Sequence, residues 1–116
     1  GGSIAYLPDH APHLLGPGAG GLGEVHEAAL ELVTGVDVLV HDSHFTPAEV
    51  HRLPHFGHSC AEYAIALAKA AGVRRLVSFH HHPDRTDEEV ARLAAALAGC
   101  CGVSVVAAAE GLELQL

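Results

Sequence analysis

Three apolar runs in this 116-residue chain end in residues that bind metals or move protons. Ile4-Ala5-Tyr6-Leu7 leads into Asp9-His10, Val36 to Val40 into His41-Asp42-Ser43-His44, and Leu76-Val77-Ser78-Phe79 into His80-His81-His82. Imidazole nitrogen together with carboxylate oxygen suits zinc, manganese or iron. In His41-Asp42-Ser43-His44, imidazoles flank a carboxylate, which fits either a metal shell or a proton-shuttling pair. His58 lies in Phe56-Gly57-His58-Ser59, just before a predicted helix whose dipole disfavours a charged imidazole. It reads as a ligand, a base or a local loop hydrogen bond. Successive side chains alternate in direction at a strand end, so His80, His81 and His82 cannot all reach one ion. Asp9 is open between a turn residue and a ligand. His13, His26, His51 and His55 are dispersed and read as surface or loop residues.

Elements that could position these groups follow from hydrophobic periodicity and capping. Strands are expected at about 3–8, 36–41 and 73–79, the second apolar enough to be covered on both faces. A helix over about 24–34 would bury Val25, Ala28, Ala29 and Leu32. Thr46 with Glu49, Ser59 with Glu62, and Thr86 with Glu89 read as capping boxes at three further helix starts. The second of these helices carries Ala61, Ala64, Ile65, Ala68 and Ala71 and ends at Gly72. The last has Val90, Leu93, Ala94 and Leu97 as its buried stripe. Val103 to Val106 and Leu112-Glu113-Leu114 are expected as two closing strands hinged at Glu110-Gly111. The alternation predicts an α/β fold of about five strands with helices packed on the sheet. In such sheets ligands bind at the carboxyl ends of the strands, where the histidine clusters fall.

Composition narrows the options. The length allows one domain over 1–116, and its 49% apolar residues with only 4% aromatics leave the core to Ala, Val and Leu. A formal charge of −8 with six Lys plus Arg argues against extended nucleic-acid binding by this chain alone. A small phosphodiester or ester substrate stays open, because bound divalent metal would supply positive charge. Cys60, Cys100 and Cys101 form no disulfide pattern and point to a reducing, cytoplasmic setting, Cys60 as a core residue. No apolar run is long enough to span a membrane. The chain has no methionine, and its Gly1-Gly2-Ser3 start suggests a processed, excised or longer polypeptide. Gly16 to Gly21 matches G-x-G-x-x-G, but seven residues from Asp9 to Leu15 separate it from the strand, so a flexible loop is expected rather than a dinucleotide site.

The order of these motifs is similar to the carboxyl-terminal half of metallo-β-lactamase-fold hydrolases. Leu7-Pro8-Asp9-His10, His41 to Phe45, Gly57-His58-Ser59 before a helix, Phe79-His80-His81 and Glu110-Gly111-Leu112-Glu113-Leu114 carry the resemblance over nearly the whole chain. It is closest to the phosphodiesterase branch that includes tRNA 3′-processing endonucleases. The resemblance implies one half of an αββα sandwich, with Asp9 bridging two metals and His80 as the last histidine ligand. Two zinc ions are implied, with manganese or iron as alternatives. Asp42 matches an acidic relay residue, shorter than the family's glutamate, and His58 its histidine partner; His10, His41 and His81 would support them. The family's H-x-H-x-D-H motif is absent, so activity is expected to need a missing amino-terminal half or self-association. With Asp9 and His80 as its only protein ligands, the chain by itself is expected to bind metal weakly. A non-catalytic metal-binding or partner-binding module is the competing expectation.

Overall fold

The computed structural model describes residues 2–18, 20–52, 57–98 and 102–116; Gly1, Ala19, His55, Phe56, Cys100 and Cys101, within segments singled out above, lie outside them. In chain order the elements are β1 (Ile4–Leu7), α1 (Glu27–Val33), β2 (Val38–Asp42), α2 (Pro47–Arg52), α3 (Ala61–Ala70), β3 (Arg75–Phe79), α4 (Asp87–Leu97) and β4 (Ser104–Ala107), with a 3-10 turn at Pro12–Leu15. All strand pairs are parallel and the sheet order is β1-β2-β3-β4. Each strand is therefore joined to its neighbour by a crossover, as parallel pairing demands.

Because the order never reverses, crossovers of one hand bring the helices onto one face. Register shows which face. Ala5, Leu39, Leu76 and Val105 lie side by side and belong to the core cluster, together with Tyr63, Leu67 and Ala68 of α3. The alternate row, Tyr6, Val40, Val77 and Val106, points the other way. On that second side there is no helix among the described residues, and Val38, Val40 and Val77 line a trough with Leu112, Leu114 and Leu116 of the tail. Ile4 is 56% and Tyr6 54% exposed there. An α/β sheet made only of parallel strands is ordinarily covered on both faces.

Local expectations met the fold unevenly. Four strands form where about five were expected, because residues 112–116 lie along the apolar face without pairing into the sheet. In α1 the buried positions are Ala29 and Val33, with Leu30 packed against the core, whereas Val25, Ala28 and Leu32 are exposed. The Glu27-to-Val33 run has apolar residues on more than one face, so periodicity could not single out the buried one. The Thr46–Glu49 box forms in both directions, at 2.8 and 3.4 Å, and Thr86 caps α4 by accepting from the Glu89 amide. The expected Ser59–Glu62 box does not form. Cys60 is the N-cap of α3, and the Ser59 hydroxyl donates instead to the Asp42 carbonyl at 3.1 Å. α3 ends before Gly72, whose φ of +72° is easy only for glycine.

Candidate functional site

The carboxyl ends of β1, β2 and β3 lie side by side, so the residues that follow them meet at one rim. Asp42, the last residue of β2, is the organising group: its side chain is fully buried. Four N–H groups converge on its carboxylate. The His44 amide reaches Oδ1 at 2.9 Å; the His10 and Ser59 amides reach Oδ2 at 3.3 Å, and His58 Nδ1 does so at 2.9 Å. Burial pushes the Asp42 carboxyl above the usual carboxylate range, while His58 and the amides pull it back. A carboxylate enclosed this way serves chiefly to fix the ring that donates to it.

Behind it His41 is wholly enclosed, its Nδ1 hydrogen donated to the Asp42 carbonyl at 2.8 Å. Burial lowers the His41 pKa to about 4, so the ring is neutral near pH 7. His10 pairs its Nε2 with the Tyr63 hydroxyl at 3.1 Å and meets the His41 ring edge-on. These two rings are packed around the Asp42–His58 pair.

The open side of the rim holds His44, His58, His80 and Asp9. His80 follows β3 at a φ of +58°, a left-handed conformation rare outside glycine and found where a site demands it. Its Nδ1 lies 3.0 Å from the Pro8 carbonyl and 3.5 Å from Asp9 Oδ1. Asp9 Oδ1 is also 3.7 Å from His58 Nδ1. His44 stacks on His58 with ring centroids 4.1 Å apart and donates its Nδ1 hydrogen to the His80 carbonyl at 3.2 Å. Burial, then the neighbouring imidazoles, hold the His44 pKa down at about 4. Ring nitrogens of His44, His58 and His80 all fall within 4.8 Å of one another, an arrangement able to hold a metal ion.

Thus Asp9, Asp42, His58 and His80 come together, with His10 and His41 behind Asp42. His81 turns toward the helices and lines a small cavity with Ser78, Val90 and Val105. His82 packs against His44 and accepts from the Asp84 amide. His44 is the residue that sequence reasoning left out of the site. Its signal was the second imidazole flanking Asp42, two residues beyond the strand end. Arg85 holds the loop after β3 to α2 through an ion pair with Glu49 and donates to the His44 carbonyl at 3.4 Å. Cys60 is fully buried, and burial raises its thiol pKa to about 12, which removes it as a nucleophile.

No protein-family model matches the chain. It is 38% identical over 66 residues to ribonuclease Z of Brevibacillus brevis and 40% identical over 63 residues to ribonuclease Z of Exiguobacterium sibiricum. Those matches cover 57% and 54% of this chain and 21% of each relative. Ribonuclease BN of Escherichia coli is 44% identical over 54 residues, 47% of this chain and 18% of that protein. A crystal structure of a diphosphatase from the PhnP family superposes with a TM-score of 0.63 at 20% identity, over 99% of this chain and 36% of that one. The chain therefore spans about a fifth of the length of the curated relatives it matches.

Proposed function

We propose that this chain, which carries part of a metallo-β-lactamase fold, is the carboxyl-terminal half of a metal-dependent phosphodiester hydrolase. The observation that carries the reading is the buried Asp42–His58 pair set beside Asp9 and His80 on one rim of the sheet. The similarity to ribonuclease Z and ribonuclease BN, and the fold shared with a diphosphatase, support phosphoryl chemistry.

The donor set fits a divalent metal. Imidazoles and a carboxylate cluster at the rim, and the His80 ring is oriented by a backbone carbonyl, the arrangement usual behind a ligating histidine. Asp9 and His80 would hold the metal, zinc by donor type, with manganese or iron as alternatives. When bound it supplies Lewis acidity and an activated water. The protein's own part is proton delivery. His58, its Nδ1 hydrogen committed to Asp42, would give a proton to the leaving oxygen from its other nitrogen. Asp42 would favour the charged ring at that moment and keep it aimed, as a buried carboxylate does behind a catalytic histidine. The amino-terminal half would lie on the apolar sheet face of Ile4 and Tyr6, completing the sandwich and the ligand set. A small phosphodiester or ester is the substrate class proposed; the chain's charge of −8 argues only against extended RNA binding by this chain alone.

The test is turnover of bis(p-nitrophenyl) phosphate by the polypeptide in which this segment continues into its upstream sequence. Chelation should abolish turnover and zinc or manganese restore it. Absence of turnover under every metal would refute the reading.

A further inference from the structure

Tyr63 is the largest side chain enclosed in the core, and it carries a hydroxyl that the proposed chemistry does not use. We infer that Tyr63 is a positioning residue: its hydroxyl donates to His10 Nε2 and so fixes the turn that presents Asp9 to the rim. Its consequence for turnover rests on the hydrolase reading, whereas the anchor itself does not.

Tyr63 stands in the first turn of α3 and is 2% exposed. A phenol enclosed this way needs a partner for its polar end. Its oxygen lies 3.1 Å from His10 Nε2. Burial pushes the Tyr63 pKa up to about 12, so the hydroxyl keeps its hydrogen at neutral pH, and a backbone hydrogen bond from His26 opposes the rise. With the oxygen accepting from that backbone N–H, the phenol hydrogen is left for His10. The bond made at one imidazole nitrogen decides which nitrogen is protonated, so His10 carries its own hydrogen on Nδ1.

What this bond holds is the turn Pro8-Asp9-His10. The Pro8 carbonyl meets His80 Nδ1 at 3.0 Å and the His10 amide meets Asp42 Oδ2 at 3.3 Å, both of them groups of the rim itself. The Asp9 side chain is 67% exposed, so burial does not fix it. Tyr63 adds an attachment from beneath, on a helix whose Ala64, Leu67 and Ala68 are fully enclosed. The His10 ring also packs on Tyr63 and His41, at centroid distances of 5.5 and 5.3 Å. A site is only as precise as the groups behind it, and a displacement of about 1 Å costs rate heavily.

The test is Tyr63→Phe, which removes the hydroxyl and keeps the ring that packs in the core. In the 116-residue chain labelled with 15N-histidine, nitrogen chemical shifts report which nitrogen of His10 carries hydrogen. We expect Nδ1–H with a hydrogen-bonded Nε2 in the parent. Tyr63→Phe should lose that signature and exchange the His10 amide faster. In the polypeptide continued upstream, kcat should fall about tenfold with KM little changed, as when a partner behind a site residue is removed. A merely structural loss would lower stability and leave kcat of the folded enzyme as it was. A parent His10 protonated on Nε2, or shifts and exchange unmoved by the substitution, would overturn the anchor. Parent-like kcat after the anchor is lost would overturn the positioning role. If the parent polypeptide turns over nothing, the hydrolase reading fails and the spectra still decide the anchor. If Tyr63→Phe does not fold, the protonated nitrogen of His10 in the parent chain decides it.

Discussion

His58 donates its Nδ1 hydrogen to Asp42 Oδ2 across 2.9 Å, and that carboxylate has no exposed surface. The pair is structural, and in the proposed function it is also chemical. Asp42 gathers the amides of His10, His44 and Ser59, so it holds three chain segments at the rim while it aims the imidazole.

Replacing Asp42 should reveal both roles. Asp42→Ala strands buried N–H groups and is expected to lower stability by about 2–4 kcal/mol, read from urea unfolding. Asp42→Asn keeps an acceptor and should cost less. In the proposed hydrolase both Asp42→Asn and His58→Ala should lower kcat by roughly 10²–10⁴-fold. Wild-type stability in Asp42→Ala would contradict the convergence of donors on this carboxylate.

Acid should weaken the fold in a defined window. His41 has its pKa lowered by burial to about 4, against about 6.5 in an unfolded chain. The unfolded state then binds more protons between those values, so stability present above pH 6.5 is lost as pH falls toward 4 and not further from this group. The loss from His41 is on the order of 3 kcal/mol. His44 acts in the same direction, and Asp42 opposes it because its carboxyl is raised. Urea midpoints at pH 7 and pH 4.5 measure the difference. His41→Asn should shrink it, leaving the part due to His44; an unchanged difference in His41→Asn would dismiss the idea.

The ion pair of Arg85 with Glu49 is part-buried and clamps α2 to the loop that follows the site strand. Arg85→Ala and Glu49→Gln should each destabilise by about 1 kcal/mol, with a coupling between them in a double-mutant cycle. Additive effects would show that the pair contributes nothing of its own.

Ile4 and Tyr6 are more than half exposed on the sheet face that residues 112–116 line, where Val38 and Val77 are buried. Ile4→Asp should therefore change the stability of the segment by less than about 1 kcal/mol. It should still prevent association with a separately expressed upstream half, measured by light scattering and co-purification. Undiminished association would place the partner elsewhere.

Much of this arrangement is legible in residue order because it is local. Runs such as Val38–Asp42 and Arg75–Phe79 announce buried strands, and the reciprocal Thr46–Glu49 box involves residues three apart. Ser59 shows where such reasoning stops. Its spacing to Glu62 satisfies the same pattern, but folding brings the Asp42 carbonyl within reach, and the hydroxyl donates there. Leu112 and Leu114 alternate like a strand, and the apolar face they lie against involves residues more than thirty positions away.

The sequence alone determined that ligand-type residues sit at the ends of three strands, because strand periodicity and turn chemistry act over a few residues. Tertiary structure decided which of them meet. His44 and His80 are separated by 36 positions, and parallel pairing of β2 with β3 is what sets their backbones against each other. His81, next to His80, lies on the helix side because the left-handed backbone at His80, φ +58°, interrupts the alternation of the strand. Membership in the site is thus a matter of register and crossover, long-range properties that no local spacing encodes.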